Sequence, residues 1–361
     1  MVNKLEQMIQ EFCPNGVERV ALCEVAKVSN GRDHKALSDG KIPVYGSGGV
    51  MRYANQCIYD KSSVLIPRKG SLGNIFFVNE PFWTVDTIFY TVINERKIEP
   101  KYFYYSISAR HIEDLNQAGG VPSMTKAVLD KIRILLPPLP IQREIVRILD
   151  NFTELTAELT AELTARKKQY EYYRNELLTF GDDVPMVPLG EISSIGVGQS
   201  PKEIDGGQYP FINAGTTPSG YLSRYNTELD TITTPSRGQG GIGYVGYQSS
   251  KFWCGPLCYR IRSKDERITT RFLYYVMENS IMSIIGLAHM TGVPALNRKE
   301  LIGFPVPLPP LAEQTRIVAI LDKFDALTTD ISIGLPAEIA ARQKQYEYYR
   351  DKLLSFKEAS A

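Results

Sequence analysis

Cysteine and histidine are scarce in this chain: its 361 residues hold five of the first (Cys13, Cys23, Cys57, Cys254, Cys258) and three of the second (His34, His111, His289). The cysteines form an odd set without CxxC spacing, and the histidines stand far apart and away from any cysteine pair. That pattern excludes a disulfide framework and predicts no metal site. Reduced thiols of this kind fit a cytoplasmic protein. Long apolar runs are also missing, both within the chain and after Met1, so no membrane association is expected. Net charge is nearly absent: 41 basic against 40 acidic residues leave a formal charge of +1. Any contact with nucleic acid must therefore come from local patches. The Walker A string, the nucleophile elbow and the Asn/Asp-Pro-Pro-Tyr/Phe string of amino-methyltransferases are absent too, and no catalytic residue is predicted.

What the chain does have, it has twice. Pro137-Pro138-Leu139 leads through Ile148-Leu149-Asp150 to Lys168-Gln169-Tyr170-Glu171-Tyr172-Tyr173-Arg174, and Pro309-Pro310-Leu311 leads through Ile320-Leu321-Asp322 to Lys344-Gln345-Tyr346-Glu347-Tyr348-Tyr349-Arg350. An identical heptapeptide beside two further shared motifs marks a tandem duplication. The first copy is shorter by about four residues between ILD and KQYEYYR, close to one helical turn. The gap coincides with a local repeat, Thr156-Ala157-Glu158-Leu159 then Thr160-Ala161-Glu162-Leu163, a unit that can be gained or lost as a turn.

Around the first copy Ile141, Ile145, Ile148, Phe152, Leu155 and Leu159 recur at steps of three and four, the stripe of a helix that packs on another helix. The further step to Leu163 is a stutter, after which Tyr170, Tyr173 and Leu177 resume the seam. Neither glycine nor proline occurs between residues 141 and 180, so a single helix of roughly 60 Å is predicted, unstable in water without a partner. The second copy repeats the stripe at Ile317, Ile320, Phe324, Leu327 and Ile331, but Gly334 and Pro336 predict a break and a fresh start near Pro336. The two stretches are expected to pair antiparallel and act as a spacer.

The rest reads as two β-rich parts. After a short helix over residues 4–12, Val20 to Val25 and Val187 to Ile192 match as strands, as do Ile42-Pro43-Val44-Tyr45-Gly46 and Tyr209-Pro210-Phe211-Ile212-Asn213. Ile66-Pro67-Arg68-Lys69-Gly70-Ser71 matches Thr234-Pro235-Ser236-Arg237-Gly238-Gln239; each string is expected to form a hairpin tip, with a second run following at Ile75 to Val78 and at Ile242 to Val245. Such a tip offers a cation and free backbone amides to a phosphate or a base edge. Each copy closes with a helix rich in core aromatics (Tyr102 to Arg110; Phe272 to Asn279) and a loop holding Val121-Pro122 or Val293-Pro294. Two enzyme-like patterns fail on context. The GxGxxG string beginning at Gly238 runs into strand-like Tyr244-Val245-Gly246-Tyr247 and not into a helix. Asp86 with Glu95 and Lys97 mimics a metal-dependent nuclease set, yet the second copy has no such trio.

These paired motifs resemble the specificity subunit of type I restriction–modification systems, and the TAEL repeats with the segment from Arg166 to Arg174 look like the type IC subclass. The resemblance implies an α+β fold: two β-rich target recognition domains in pseudo-twofold tandem repeat, separated by two long antiparallel coiled-coil helices. The expected divisions are residues 1–136, the helical spacer 137–180, residues 181–308 and the second spacer 309–357. It also implies a non-catalytic subunit whose domains each read one half of a split, asymmetric sequence in double-stranded DNA. Two adenine-N6 methyltransferase subunits and restriction/translocase subunits are the implied partners, and S-adenosylmethionine, ATP and Mg would belong to them, leaving this chain without a cofactor. For DNA contact, polar groups on predicted loops are chosen: Arg32, His34, Lys35, Ser47, Arg68, Lys69 and Ser71 in the first domain, and Asn213, Thr216, Thr217, Arg237 and Gln239 in the second.

Overall fold

The computed structural model describes residues 2–116, 120–238, 241–329 and 333–359. Its chain divides into two units, the first made of residues 1–160 together with 338–361 and the second of residues 161–337. In the first unit a four-stranded antiparallel sheet runs in the order Ala26–Asn30, Ile88–Ile93, Ser63–Pro67, Phe76–Val78. A three-stranded sheet sets Asp39–Gly46 between Gly49–Ala54, antiparallel, and Trp83–Thr84, parallel. Glu18–Ala21 pairs with Arg133–Leu136 and closes the domain.

The second unit repeats this order strand for strand. Its larger sheet runs Ser193–Val197, Cys258–Ser263, Thr231–Pro235, Gly246–Gln248; its smaller one sets Tyr209–Ile212 between Tyr221–Leu222 and Trp253–Cys254; Met186–Pro188 pairs with Pro305–Pro307. The duplication seen in the helical motifs therefore extends through the globular parts. Ser63–Pro67 and Thr231–Pro235 are buried along their whole length. After Ser63, whose hydroxyl donates to the Thr91 carbonyl at 2.7 Å, the first is a continuous apolar run, as a strand covered on both faces should be. In the second, threonines take three of the five places: Thr231 donates to the Glu228 carbonyl at 2.8 Å and Thr233 accepts from Gln248 at 3.1 Å, whereas the Thr234 hydroxyl is buried without a hydrogen-bond partner.

Two strand expectations need correction. The run from Val20 to Val25 is a strand only through Ala21; Leu22–Val25 turns into a short helix, as Leu189–Ile192 does in the second unit. Leu22 and Val25, like Leu189 and Ile192, are buried at a spacing of three, and Glu24 accepts a bond from the Ala21 amide at 2.7 Å, which favours a helical turn over an extended run. Ile242 to Val245 is likewise not a strand. Gly243 takes φ +92 there, and the strand begins only at Gly246.

Each domain is built around one closing helix. Pro100–Ser108 starts with proline in its first turn and with Glu99 accepting from the Tyr102 amide; Thr270–Asn279 starts with Thr269 accepting from the Phe272 amide. Their inner faces bury Tyr102, Phe103, Tyr105 and Ile107, and Phe272, Leu273, Tyr275 and Val276. The central helix Leu139–Leu177 is unbroken over 39 residues, about 60 Å. Its first turns bury Ile141, Ile145, Ile148 and Leu149 in the first domain's core. The second stretch breaks as Gly334 and Pro336 predict, into Leu311–Thr328 and Leu335–Leu353. Pro336 stands in the first turn of the new helix, where a missing amide costs nothing. Ile331 lies outside the described residues. The N-terminal helix, Val2–Phe12, begins two residues earlier than expected and buries Leu5.

The shared motifs hold these helices to the domains. Gln142, wholly buried, accepts from the Glu99 amide at 2.7 Å and donates to the carbonyls of Lys97 and Pro137. Gln314 does the same with the Thr269 amide and the carbonyls of Arg267 and Pro309. Asp150 of the first ILD accepts from Tyr105 and Lys101, both at 2.6 Å, and Asp322 of the second from Tyr275 at 2.6 Å and Arg271 at 2.8 Å. The heptapeptides are exchanged between the copies. Tyr346 and Tyr349, of the second KQYEYYR, lie against Tyr105 and Phe152 in the first unit. Tyr170 and Tyr173, of the first, lie against Phe324 in the second unit, where Tyr170 also donates to Glu278 at 3.1 Å. Within each unit the central helix thus packs against a segment of the second helical stretch.

Candidate nucleic-acid interface

In the first unit the strand Ser63–Pro67 ends in a tip formed by residues 68–71. The Arg68 and Lys69 amides both donate to the Thr87 carbonyl, at 2.8 and 3.2 Å, and Gly70 takes φ +83, a conformation that favours glycine. The tip is locked from its other side by the loop that holds Val121-Pro122: the Gly70 amide donates to the Pro122 carbonyl at 2.9 Å and the Met124 amide to the Arg68 carbonyl at 2.8 Å, with Lys69 bridged to Ser123. The second unit has the same frame. Ser236 donates to the Leu257 carbonyl at 2.8 Å, Gly238 (φ +120) donates to Pro294 at 3.1 Å, Leu296 donates to Ser236 at 2.9 Å, and Arg237 is bridged to Ala295. Lys69 and Arg237 are exposed at equivalent places. None of the described ion pairs uses either of them. Two cations without a carboxylate partner, on rigid tips with glycine beside them, suit an anion.

A second loop meets each tip. Asn74 donates to the Ser47 carbonyl at 3.2 Å, which joins the half-buried Ser47 to the first tip. In the second unit Asn213 Oδ1 accepts from the Leu257 amide at 2.9 Å, and Leu257 in turn accepts from the tip at Ser236. That oxygen is therefore engaged within the fold, while Thr216 and Thr217 stand exposed on the same loop. Arg68 differs from Lys69: it is half-buried with its guanidinium over the Phe89 ring at 5.8 Å. Ser71 is exposed on the tip, and Gln239 lies outside the described residues.

Arg32, His34 and Lys35 occupy a third loop, which is fastened to the smaller sheet: Arg32 donates to the Thr84 carbonyl at 2.8 Å, and Trp83 Nε1 donates to the Arg32 carbonyl at 3.0 Å. Gly31 permits this approach, since a Cβ there would collide with the Val85 carbonyl. His34 Nδ1 is buried without a hydrogen-bond partner. Asp33 stands among the three, its carboxyl held below the usual range chiefly by the Lys35 amide, so this loop carries mixed charge. Its counterpart was missed in the sequence. Trp253 Nε1 donates to the Gln199 carbonyl at 2.7 Å, and Gly198 meets the Cys254 carbonyl as Gly31 meets Val85. The paired Asn30-Gly31-Arg32 and Val197-Gly198-Gln199 ahead of the two tryptophans were the signal available.

Neither enzyme-like pattern assembles. Asp86 and the pair Glu95 and Lys97 flank opposite ends of the strand Ile88–Ile93, about 20 Å of extended chain. Lys97 instead donates to the Glu24 carbonyl at 3.2 Å. Gln239 and Gly240 of the GxGxxG string lie outside the described residues; its last residues form a turn that leads into the strand Gly246–Gln248 and not into a helix.

Comparison with known proteins bears on this geometry. The family model described as type I restriction modification DNA specificity domain matches residues 14–166 and again 181–341. The chain belongs to this family. As a type I specificity subunit it confers DNA sequence specificity within a restriction–modification complex. A putative type I restriction enzyme specificity subunit of Haemophilus influenzae is 30% identical, covering 94% of this chain and 96% of that protein. The EcoR124I/EcoR124II specificity subunit of Escherichia coli is 37% identical over 74% of this chain and 73% of its own length. A solved S subunit from M. genitalium shares the fold at a TM-score of 0.68 and 18% identity, covering 94% of this chain and 96% of that one. The two matched segments of this specificity subunit each pair a globular domain with the helix that follows it, whereas the folded units exchange the ends of those helices. Among the described residues no helix is long and apolar enough to cross a membrane.

Proposed function

We propose that each unit of this specificity subunit reads one half of a split, asymmetric sequence in double-stranded DNA. On this reading the long helical stretches set the number of unspecified base pairs between the halves and dock two adenine-N6 methyltransferase subunits, to which restriction/translocase subunits are added. S-adenosylmethionine, ATP and Mg then bind the partners, and this chain contributes recognition without catalysis. The observation that carries the reading is the repeated tip: the same hairpin, locked by the same loop, presenting an exposed cation in each unit.

Lys69 and Arg237 stand at equivalent positions and are assigned to phosphates, which every half-site offers. Readout of bases falls to residues where the two units differ: Ser47 and Ser71 in the first, Asn213, Thr216, Thr217 and Gln239 in the second. Arg32, His34, Lys35 and Arg68 flank them. The test is to co-express the chain with its methyltransferase in a host lacking adenine methylation and to map N6-methyladenine across the genome. A split motif with a fixed gap is the expected result. An assembled, folded complex that methylates nothing would sink the proposal.

A further inference from the structure

Val121 and Val293 are 70% and 68% exposed, although both are large apolar residues in loops fastened by backbone bonds on their C-terminal side. Each precedes the proline whose carbonyl accepts from the tip glycine, at 2.9 Å from Gly70 and 3.1 Å from Gly238. Each valine thus stands directly before the segment bridged to the tip, Ser123 to Lys69 or Ala295 to Arg237. Exposing one such side chain is ordinary. Exposing the same side chain in the same frame beside an exposed cation in both copies, Lys69 in one and Arg237 in the other, implies a shared task.

The nature of that task follows from the duplication and rests on the function proposed above. Two domains that read different half-sites must differ where they discriminate, and they do: a short turn at Ser47 in the first corresponds to the longer loop carrying Asn213, Thr216 and Thr217 in the second. A residue kept identical in an identical frame serves what the half-sites have in common. Valine cannot hydrogen-bond a base edge. It can press on sugar edges or on an opened base step, contacts that any duplex offers. We propose that Val121 and Val293 are matched apolar contacts to the duplex, each seated beside a phosphate held by Lys69 or Arg237, and that they add affinity at both half-sites without reading sequence.

The test uses the full chain in complex with its methyltransferase, carrying Val121→Ser or Val293→Ser. Affinity is measured at fixed salt for the recognised duplex and for duplexes with either half-site scrambled, alongside the methylation map and the melting temperature. Each variant is expected to weaken all duplexes by a similar factor, about tenfold for two buried methyl groups, with an unchanged motif and an unchanged melting temperature. A base relaxed within one half-site would make the valine a base reader. Unchanged affinity would make its exposure incidental, and loss of the methyltransferase from the complex would make the loop a protein-docking surface. Any of these three overturns the inference. The wild-type control separates the two levels: if it methylates no split motif, the underlying function fails whatever the variants do.

Discussion

Gln142 is wholly buried, and so is Gln314 at the equivalent place in the second copy. Each spans three backbone groups that no neighbour replaces, one amide and two carbonyls, at the point where a long helix leaves its domain. Gln142→Leu keeps the bulk and strands all three, so a loss of about 2–4 kcal/mol is expected, at the upper end for buried unsatisfied groups. Thermal or urea unfolding would measure it, and a loss below about 1 kcal/mol would mean that water replaces the amide. Glu278 offers a pH signal at the same scale. Burial raises its carboxyl pKa, against the opposing pull of Arg174. A carboxyl whose folded pKa lies above its unfolded value contributes stability that is full below the unfolded value and is lost as pH rises through the folded one. Glu278→Gln should therefore flatten the decline of the second unit's stability with rising pH above the normal glutamate range, seen as melting curves of wild type and variant that diverge with pH. The glutamines and aspartates of these contacts lay in plain view within the repeated motifs. Their roles did not, because a buried glutamine and an exposed one are the same letter in a helix.

For the elements, the helices carry the most specific expectation. One TAEL unit inserted after Leu163 lengthens the central helix by about 6 Å, while base pairs step by about 3.4 Å. If that helix sets the gap, methylation mapping should show a spacer longer by one or two base pairs with both half-sites intact. A changed half-site with a constant spacer would reject the idea. The length and continuity of this helix, and the break at Gly334 and Pro336, were legible because helical period, proline and glycine act locally. The hairpin tips were legible in part. Proline, a cation and glycine announced them, but the loops at residues 120–124 and 292–296 that lock them join over fifty residues or so of chain, and no local pattern encodes such a contact. The early strand ends were misread at Leu22 and Ile242 for the related reason that burial and a positive-φ glycine overrode a short β-like run.

Across the whole molecule the exchange of helix ends makes the last residues part of the first unit. Leu353 is buried in that core, the Val17 amide donates to the Lys357 carbonyl at 2.8 Å, and the Ala359 amide donates back to Val17 at 3.0 Å. Removing residues 338–361 should thus loosen the first domain and spare the second. Hydrogen exchange would show it as lost protection in Glu18–Ala21 and Pro100–Ser108, with Thr270–Asn279 unchanged. Equal loss in both units, or none in the first, would contradict the assignment of these residues.

By itself the sequence determined that the chain is duplicated, that each copy pairs a β-rich domain with a long helix, and that one of those helices is continuous. These are properties of period, repetition and local stereochemistry. Which domain each KQYEYYR segment packs on was decided only by the tertiary structure, since two identical heptapeptides carry no address. The physical reason is packing within each unit: the aromatic face of Tyr170 finds Phe324 in the second unit, while Tyr346 and Tyr349 fill the matching place beside Tyr105 and Phe152 in the first, contacts that no local period encodes.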